Sequence, residues 1–297
     1  MNAKAIFMGM AFAFMWSSAF TSARVIVEYA PPMASLSLRF FVSGLIGVGI
    51  ALALRQNFRL TRAQWRATII FGVCQNALYL GLNFVAMQWV EASLASIIAS
   101  TMPLMVALAG WVVFRERLPR LAVLGLIVGV IGVAMIMGTR ISGGVDLTGV
   151  ALCFIGAAAL TVATLSVRGA SSGGNVMMIV GLQMFVGAAV LAVASGFIET
   201  VHVTWSWQLI IAFLYTTFVP GLLATWVWFT LVNQIGAVRA ATFHFLNPFF
   251  GVAVAAALLG ETLGLLDVIG VVIVGAGILA VQLSKQAPVQ SPPQDPS

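Results

Sequence analysis

Residues 103–117 read PLMVALAGWVVFRER, and residues 248–262 read PFFGVAVAAALLGET. Both stretches open on a proline, run apolar for more than ten residues and carry a glutamate at the same remove, so that Pro103 with Glu116 matches Pro248 with Glu261. The apolar residues between them are exchanged for other apolar or small ones, and the flanks of the glutamate change in character. Arg115 and Arg117 bracket the first glutamate, whereas Gly260 and Thr262 bracket the second. Basic residues concentrate on the cytoplasmic face of a membrane protein. Two copies of one motif, one with arginines and one without, therefore read as equivalent positions on opposite faces of a bilayer.

Working outward, the same shift of about 145 residues lays Gly125 on Gly270 and Gly132 on Gly277. A shift of 144 lays Trp16, Ser17, Arg24 and Arg39 on Leu160, Thr161, Arg168 and Gln183. The chain is an internal repeat. Breaks of charge, Pro or Gly divide it into ten apolar segments, about 5–27, 33–54, 67–88, 92–114, 121–138, 147–167, 176–196, 208–232, 236–259 and 266–283. Each is long enough to span a membrane, which takes about 20 helical residues. Five segments per half is an odd number, so the second half enters from the other side, an inverted-topology repeat of the kind secondary transporters use. The fold class is thus an all-α membrane protein of ten transmembrane helices, two inverted five-helix repeats around a central cavity. The first repeat covers 1–143, the second 144–285, and 286–297 (QAPVQSPPQDPS) is expected to be a disordered cytoplasmic tail.

Composition agrees. Of 297 residues, 61% are hydrophobic and 7% charged, against roughly 25% charged in a soluble domain. A soluble enzyme and a disordered chain are excluded. The net charge of +6 does not indicate a nucleic-acid partner, because the basic residues lie between or at the ends of apolar runs rather than on one solvated face. Cys74 and Cys153 sit inside apolar stretches, so neither a disulfide framework nor a metal site is expected. No cofactor is implied, and without a nucleotide-binding loop direct ATP coupling is excluded. Loops 2–3 (Arg55, Arg59, Arg62, Arg66) and 4–5 (Arg115, Arg117, Arg120) are basic, as are Lys4 and Lys285; both termini are placed in the cytoplasm. The first segment has the outline of a cleavable signal, but its loss would leave the two repeats unequal.

Polar residues inside the segments form the candidate list, since they face a cavity or the protein interior. Gln75, Asn76, Tyr79 and Asn83 share an arc of about 100° at helical spacing. They either hydrogen-bond the polar end of a substrate or bond neighbouring helices. Ser93, Ser96, Ser100 and Pro103 make a second, narrower stripe, open to a packing reading as well. Pro103 and Pro248 free backbone carbonyls within the membrane and are read as hinges or as static bends. Trp16, with Ser17 beside it, is mid-segment and expected in the cavity. On segment eight Thr217, Pro220, Gly221 and Trp228 share a side, with Trp226 opposite; the repeat sets Trp228 against Asn83, so both should face one cavity. An aromatic wall suits apolar or aromatic side chains by stacking. Trp89, Trp205 and Trp207 fit interfacial anchors. His244 and Asn247 share a side of segment nine, where His244 is either a satisfied structural histidine or a proton carrier. Arg24 and Glu28 are spaced to pair. Arg39 either binds a substrate carboxylate or snorkels outward to pair with Glu28, and the structural role is the one adopted. Glu116 and Glu261 close helices and are expected to pair locally. Segments five and ten carry no polar stripe and should stay outside the transport path, with Gly125, Gly129, Gly270 and Gly277 suited to tight packing or to a homodimer contact.

With Trp16-Ser17-Ser18 in segment one, Arg39 in segment two, Pro103 with Glu116 around segment four and Pro248 with Gly260-Glu261 around segment nine, the chain resembles the EamA-type ten-helix exporters of the drug/metabolite transporter superfamily. Within them it is most similar to exporters of aromatic amino acids. The resemblance implies alternating-access export of amino acids or similar small metabolites through a cavity lined by helices 1–4 and 6–9, in the cell (inner) membrane. The sequence departs from the family at Leu160, where a second tryptophan is common, and at His244, where an apolar residue is common. A broad-specificity drug or metabolite efflux protein is the alternative. An intramembrane enzyme would need a nucleophile and base or metal ligands at depth, and His244 has no Asp, Glu or Cys close to it in sequence. Phosphate exchange would need several cavity-facing Lys or Arg, and Arg39 is the main deep candidate.

Overall fold

A computed structural model describes residues 3–166 and 174–285. They form ten helices long and apolar enough to cross a membrane: α1 (Ala3–Tyr29), α2 (Pro32–Ala53), α3 (Arg62–Ala86), α4 (Ala92–Phe114), α5 (Arg120–Ser142), α6 (Leu147–Ser166), α7 (Val176–Ile198), α8 (Trp207–Ile235), α9 (Arg239–Leu259) and α10 (Leu265–Ser284). Among the described residues there is no strand. The tail 286–297 and Arg168 lie outside the described residues.

The sequence marks the helix starts by local chemistry. Pro32 begins α2, where a missing N–H costs nothing. Thr61 and Gln64 cap α3 reciprocally, the Thr61 hydroxyl accepting from the Gln64 backbone N–H at 3.3 Å and the Gln64 side-chain Oε1 from the Thr61 backbone N–H at 2.9 Å. Ser206 caps α8, accepting from the Leu209 N–H at 3.1 Å.

In a bilayer helices associate through close backbone approach rather than by the hydrophobic effect, and glycine places this chain's tightest pairs. α5 and α10 run antiparallel in contact. A Cβ on Gly125 would stand 2.7 Å from the Gly277 carbonyl oxygen, and one on Gly132 would stand 2.9 Å from that of Gly270. The stripes expected to suit tight packing or a homodimer contact therefore pack on each other within one chain, as in the first of those readings. α2 and α7 form the second such pair, where a Cβ on Gly47 would lie 3.2 Å from the Gly181 Cα.

Irregular turns recur at one spacing. α3 winds as a π-helix over Gly72–Leu80 and α8 over Thr217–Leu223, starting 145 residues apart. α4 breaks at Thr101 and resumes at Met102; α9 passes through a 3-10 turn over Phe243–Leu246 and resumes at Asn247, again 145 residues on. Pro103 and Pro248 are each the second residue of the resumed helix. Both helices end in a left-handed residue, Arg115 (φ 54°) and Gly260 (φ 69°).

Charge separates the two ends of the bundle. Lys4, Arg55, Arg59, Arg62, Arg66, Arg115, Arg117, Arg120, Arg239 and Lys285 lie at the end where α1 begins and α10 finishes, with Glu116 the acidic residue among them. Glu28, Glu91, Asp146, Glu199, Glu261 and Asp267 lie at the other end, with Arg24 and Arg140. The acidic end is tied together. The Glu199 carboxylate accepts from the Met33 and Ala34 N–H groups at the start of α2 (2.8 and 3.0 Å). Arg140 pairs with Glu91 and, at 3.2 Å, with Asp267. Arg24 pairs with Glu28 at 3.5 Å and donates to the Met87 carbonyl.

Candidate functional site

A cavity of about 680 Å³ lies between the helices, within the range of small-molecule sites. Its walls come from every helix except α5. They run from Phe20, Arg39 and Phe40 deep in the bundle to Lys285 at the basic end, so the cavity opens toward that end and is closed toward the acidic one. Gln282 and Lys285 of α10 contribute to it, which corrects the expectation that segment ten stays clear of the path. Only the last turn of α10 and the residue after it reach the cavity; its middle packs on α5.

The expected residues divide into two groups. Trp16, Gln75, Asn76, Tyr79, Ser100, Pro103, Trp228, His244 and Asn247 line the cavity. Phe12, Trp16, Trp228 and His244 form one ring cluster: Phe12 stands 4.7 Å from Trp228 and 5.7 Å from Trp16 by centroids, and the His244 ring meets Trp228 edge-on at 5.1 Å. His244 Nδ1 is 3.1 Å from the Ala241 carbonyl oxygen. Asn76 donates from Nδ2 to the Gln183 carbonyl at 3.0 Å, and Ser100 from its hydroxyl to the Ser96 carbonyl at 2.7 Å. Trp226 points away and is 60% exposed, on the face that meets lipid.

The second group lies elsewhere. Ser17 and Ser96 are buried where α1, α4 and α9 cross, against Gly251. Their small side chains permit the crossing. Pro248 is buried in α9 beside them. Asn83 lines a small adjoining recess rather than the main cavity, and its Nδ2 donates to the Tyr79 carbonyl at 2.8 Å. Asn83 lies a turn beyond Tyr79 toward the acidic end of α3, against α6, where a Cβ on Gly156 would stand 2.8 Å from its Nδ2.

Charged residues also part from expectation. Glu28 is engaged with Arg24, while Arg39 turns into the cavity, buried to 6% exposure with its guanidinium carbon 5.3 Å from the Phe40 ring centroid. Glu261 does not pair within its own half. Its carboxylate accepts from the Ala92 and Ser93 N–H groups at the start of α4 (2.8 and 3.0 Å), where helix-end amides favour an anion.

Sequence reasoning missed Phe12, Phe20, Gln183 and Met184 in the lining. Two of them carried a signal. Phe12 lies one helical turn before Trp16, and Gln183 is the repeat's counterpart of Arg39.

Comparison with known proteins adds a lineage. The EamA-like transporter family matches the chain twice, over residues 3–138 and 147–283. The uncharacterized transporter YvbV of Bacillus subtilis (strain 168) is 25% identical over 274 residues, covering 92% of this chain and 90% of that one. A probable amino-acid metabolite efflux pump of Salmonella typhimurium is 25% identical over 291 residues, covering 94% of each. A solved crystal structure shares the fold with a TM-score of 0.69 at 18% identity, over 98% of this chain and 100% of the other.

Proposed function

The chain belongs to the EamA-like transporter family, and we propose that it exports amino acids, aromatic and other hydrophobic ones, with related small metabolites, from the cytoplasm across the inner membrane. The observation that carries this reading is the ring cluster of Phe12, Trp16, Trp228 and His244 inside a cavity of about 680 Å³. Aromatic walls hold an apolar or aromatic side chain by area and by edge or offset ring contacts, the latter adding about 0.5–1.5 kcal/mol per pair. Asn76, Gln75, Ser100 and Asn247 supply hydrogen-bonding groups around it. The relative described as an amino-acid metabolite efflux pump supports the same substrate class.

The basic end is assigned to the cytoplasm by the positive-inside rule, so both termini are cytoplasmic and the cavity is open inward. Transport is by alternating access. Opening the outer end requires α4 to leave the Glu261 carboxylate, and the turns before Pro103 and Pro248 are the hinges. The two halves are inverted copies, so Glu116 occupies at the inner end the position Glu261 occupies at the outer. His244, the titratable side chain in the ring cluster, is the residue at which a pH gradient would have to act, and its Nδ1 lies 3.1 Å from the Ala241 carbonyl oxygen as in a satisfied structural histidine.

The test is efflux from proteoliposomes screened across the amino acids, with and without a pH gradient. Saturable efflux of phenylalanine, tryptophan or leucine is expected. Absence of flux for every amino acid overturns the reading. A rate indifferent to the gradient, with an active His244→Asn, removes proton coupling through that residue.

A further inference from the structure

Among the described residues, Arg39 is the buried cation that lines the body of the cavity. It is 6% exposed, sits on a helix that spans the membrane, and its Nε has no hydrogen-bond partner among the described residues. Its guanidinium lies beside Gly221, whose missing side chain leaves Nη2 3.4 Å from where a Cβ would stand, and the Ser43 hydroxyl next to it is likewise unpartnered. No Asp or Glu is among the residues that line the cavity; its charged residues are Arg39 and, at the mouth, Lys285. The carboxylate that could have neutralised Arg39, Glu28, is taken by Arg24. A buried guanidinium without a counter-ion is costly, and the planar fork that is left is shaped for a carboxylate.

The surroundings fix what carries that carboxylate. Trp16 and Arg39 line both the main cavity and the recess of about 40 Å³ that adjoins it, so ring and charge are within the span of one small molecule. The Phe12–Trp228–His244 cluster continues from Trp16. An amino group, in contrast, meets no negative charge in the lining. It can be answered only by neutral groups such as those of Gln75 and Ser100.

We propose that Arg39 is the counter-ion for the substrate's carboxylate, and that the cavity takes arylalkyl carboxylates whether or not they carry an amino group, while rejecting organic cations. The inference rests on the transport reading above and narrows it: 2-oxo and 2-hydroxy acids with an aromatic body are substrates alongside the amino acids, and cationic amphiphiles are not.

The experiment compares phenylalanine, phenylpyruvate and phenethylamine as the sole additions. Two readouts are used, inhibition of labelled phenylalanine flux in proteoliposomes and thermal stabilisation of the purified protein in detergent. Phenylalanine and phenylpyruvate should act within about tenfold of each other, and phenethylamine at least about thirtyfold more weakly, the difference expected when a hydrogen-bonded charge is lost. Arg39→Gln should lose the response to both acids, and Arg39→Lys should keep part of it. Phenethylamine matching phenylalanine overturns the proposal, as does phenylalanine acting while phenylpyruvate does not, or silence from all three compounds in both readouts. Saturable, Arg39-dependent stabilisation by phenylpyruvate with no flux of any amino acid leaves this proposal standing and removes the export of amino acids. The ligand pattern of the unsubstituted protein decides the matter even if Arg39→Gln fails to fold.

Discussion

Glu261, just beyond the end of α9, accepts the backbone N–H of Ala92, the first residue of α4, at 2.8 Å. Residues 169 apart in sequence are thereby joined at the acidic end of the bundle, where the cavity is closed. Replacing Glu261 by alanine strips an anionic cap from two N–H groups. The expected cost is about 1–2 kcal/mol, the size of other cap losses. If the contact also holds the outer end shut, a cysteine placed at Ser93 should react faster with a membrane-impermeant thiol reagent added outside in Glu261→Ala than in the parent. An unchanged rate with lowered stability would make the cap structural only.

The α5–α10 contact predicts a large effect from a small change. A Cβ at Gly277 would lie 2.6 Å from the Gly129 backbone nitrogen, and backbone cannot give way as a side-chain tip can. Gly277→Val should destabilise the protein by about 3 kcal/mol or more, the upper end of overpacking costs, read as a fall in the unfolding midpoint in detergent. The molecular mass of the folded Gly277→Val particle should equal that of the parent, since the glycines serve a contact within the chain.

Arg115 and Gly260 end equivalent helices in the same left-handed turn, yet one of them carries a side chain. Such a conformation costs a non-glycine residue roughly 1–2 kcal/mol. Arg115→Gly should therefore be neutral or stabilising by up to about 1 kcal/mol, after the greater freedom of glycine in the unfolded chain is subtracted. Thermal unfolding of the purified variant checks the sign.

Trp226 and Trp228 are two residues apart and face opposite ways, Trp226 outward and Trp228 into the ring cluster. Trp228→Ala should weaken the apparent affinity for aromatic amino acids by about tenfold, the worth of one ring contact together with its share of buried area. Trp226→Ala should leave it unchanged. Restoration by Trp228→Phe would separate ring contact from simple filling of space.

The ten helices were legible because a membrane demands apolar runs of one length, and because Arg, Pro and Gly mark their ends. The repeated Pro–Glu spacing was legible for the same reason, as a pattern in one dimension. The inner arrangement was less so. Trp16, Trp228, His244 and Asn247 could be placed by the side of the helix they share, but Asn83 could not, since an arc says nothing of depth and Asn83 lies nearer the acidic end of α3. Ser17 and Ser96 looked like cavity residues because hydroxyls serve helix crossings and substrates alike. The partner of the Gly125–Gly132 stripe was ambiguous, as a glycine face reads the same whether its mate lies in the same chain or another. Arg39 turned on a choice that sequence leaves open: its side chain could run outward toward Glu28 or inward, and the folded chain shows it lining the cavity while Arg24 holds Glu28.

The central claim is that this cavity carries apolar amino acids across the membrane. Counterflow measures it most directly: proteoliposomes loaded with unlabelled phenylalanine are diluted into a trace of the labelled compound. The account predicts transient accumulation of label above equilibrium, abolished or strongly reduced in Trp228→Ala and preserved in Trp226→Ala. Label that only equilibrates, or accumulation equal in all three proteins, would contradict it.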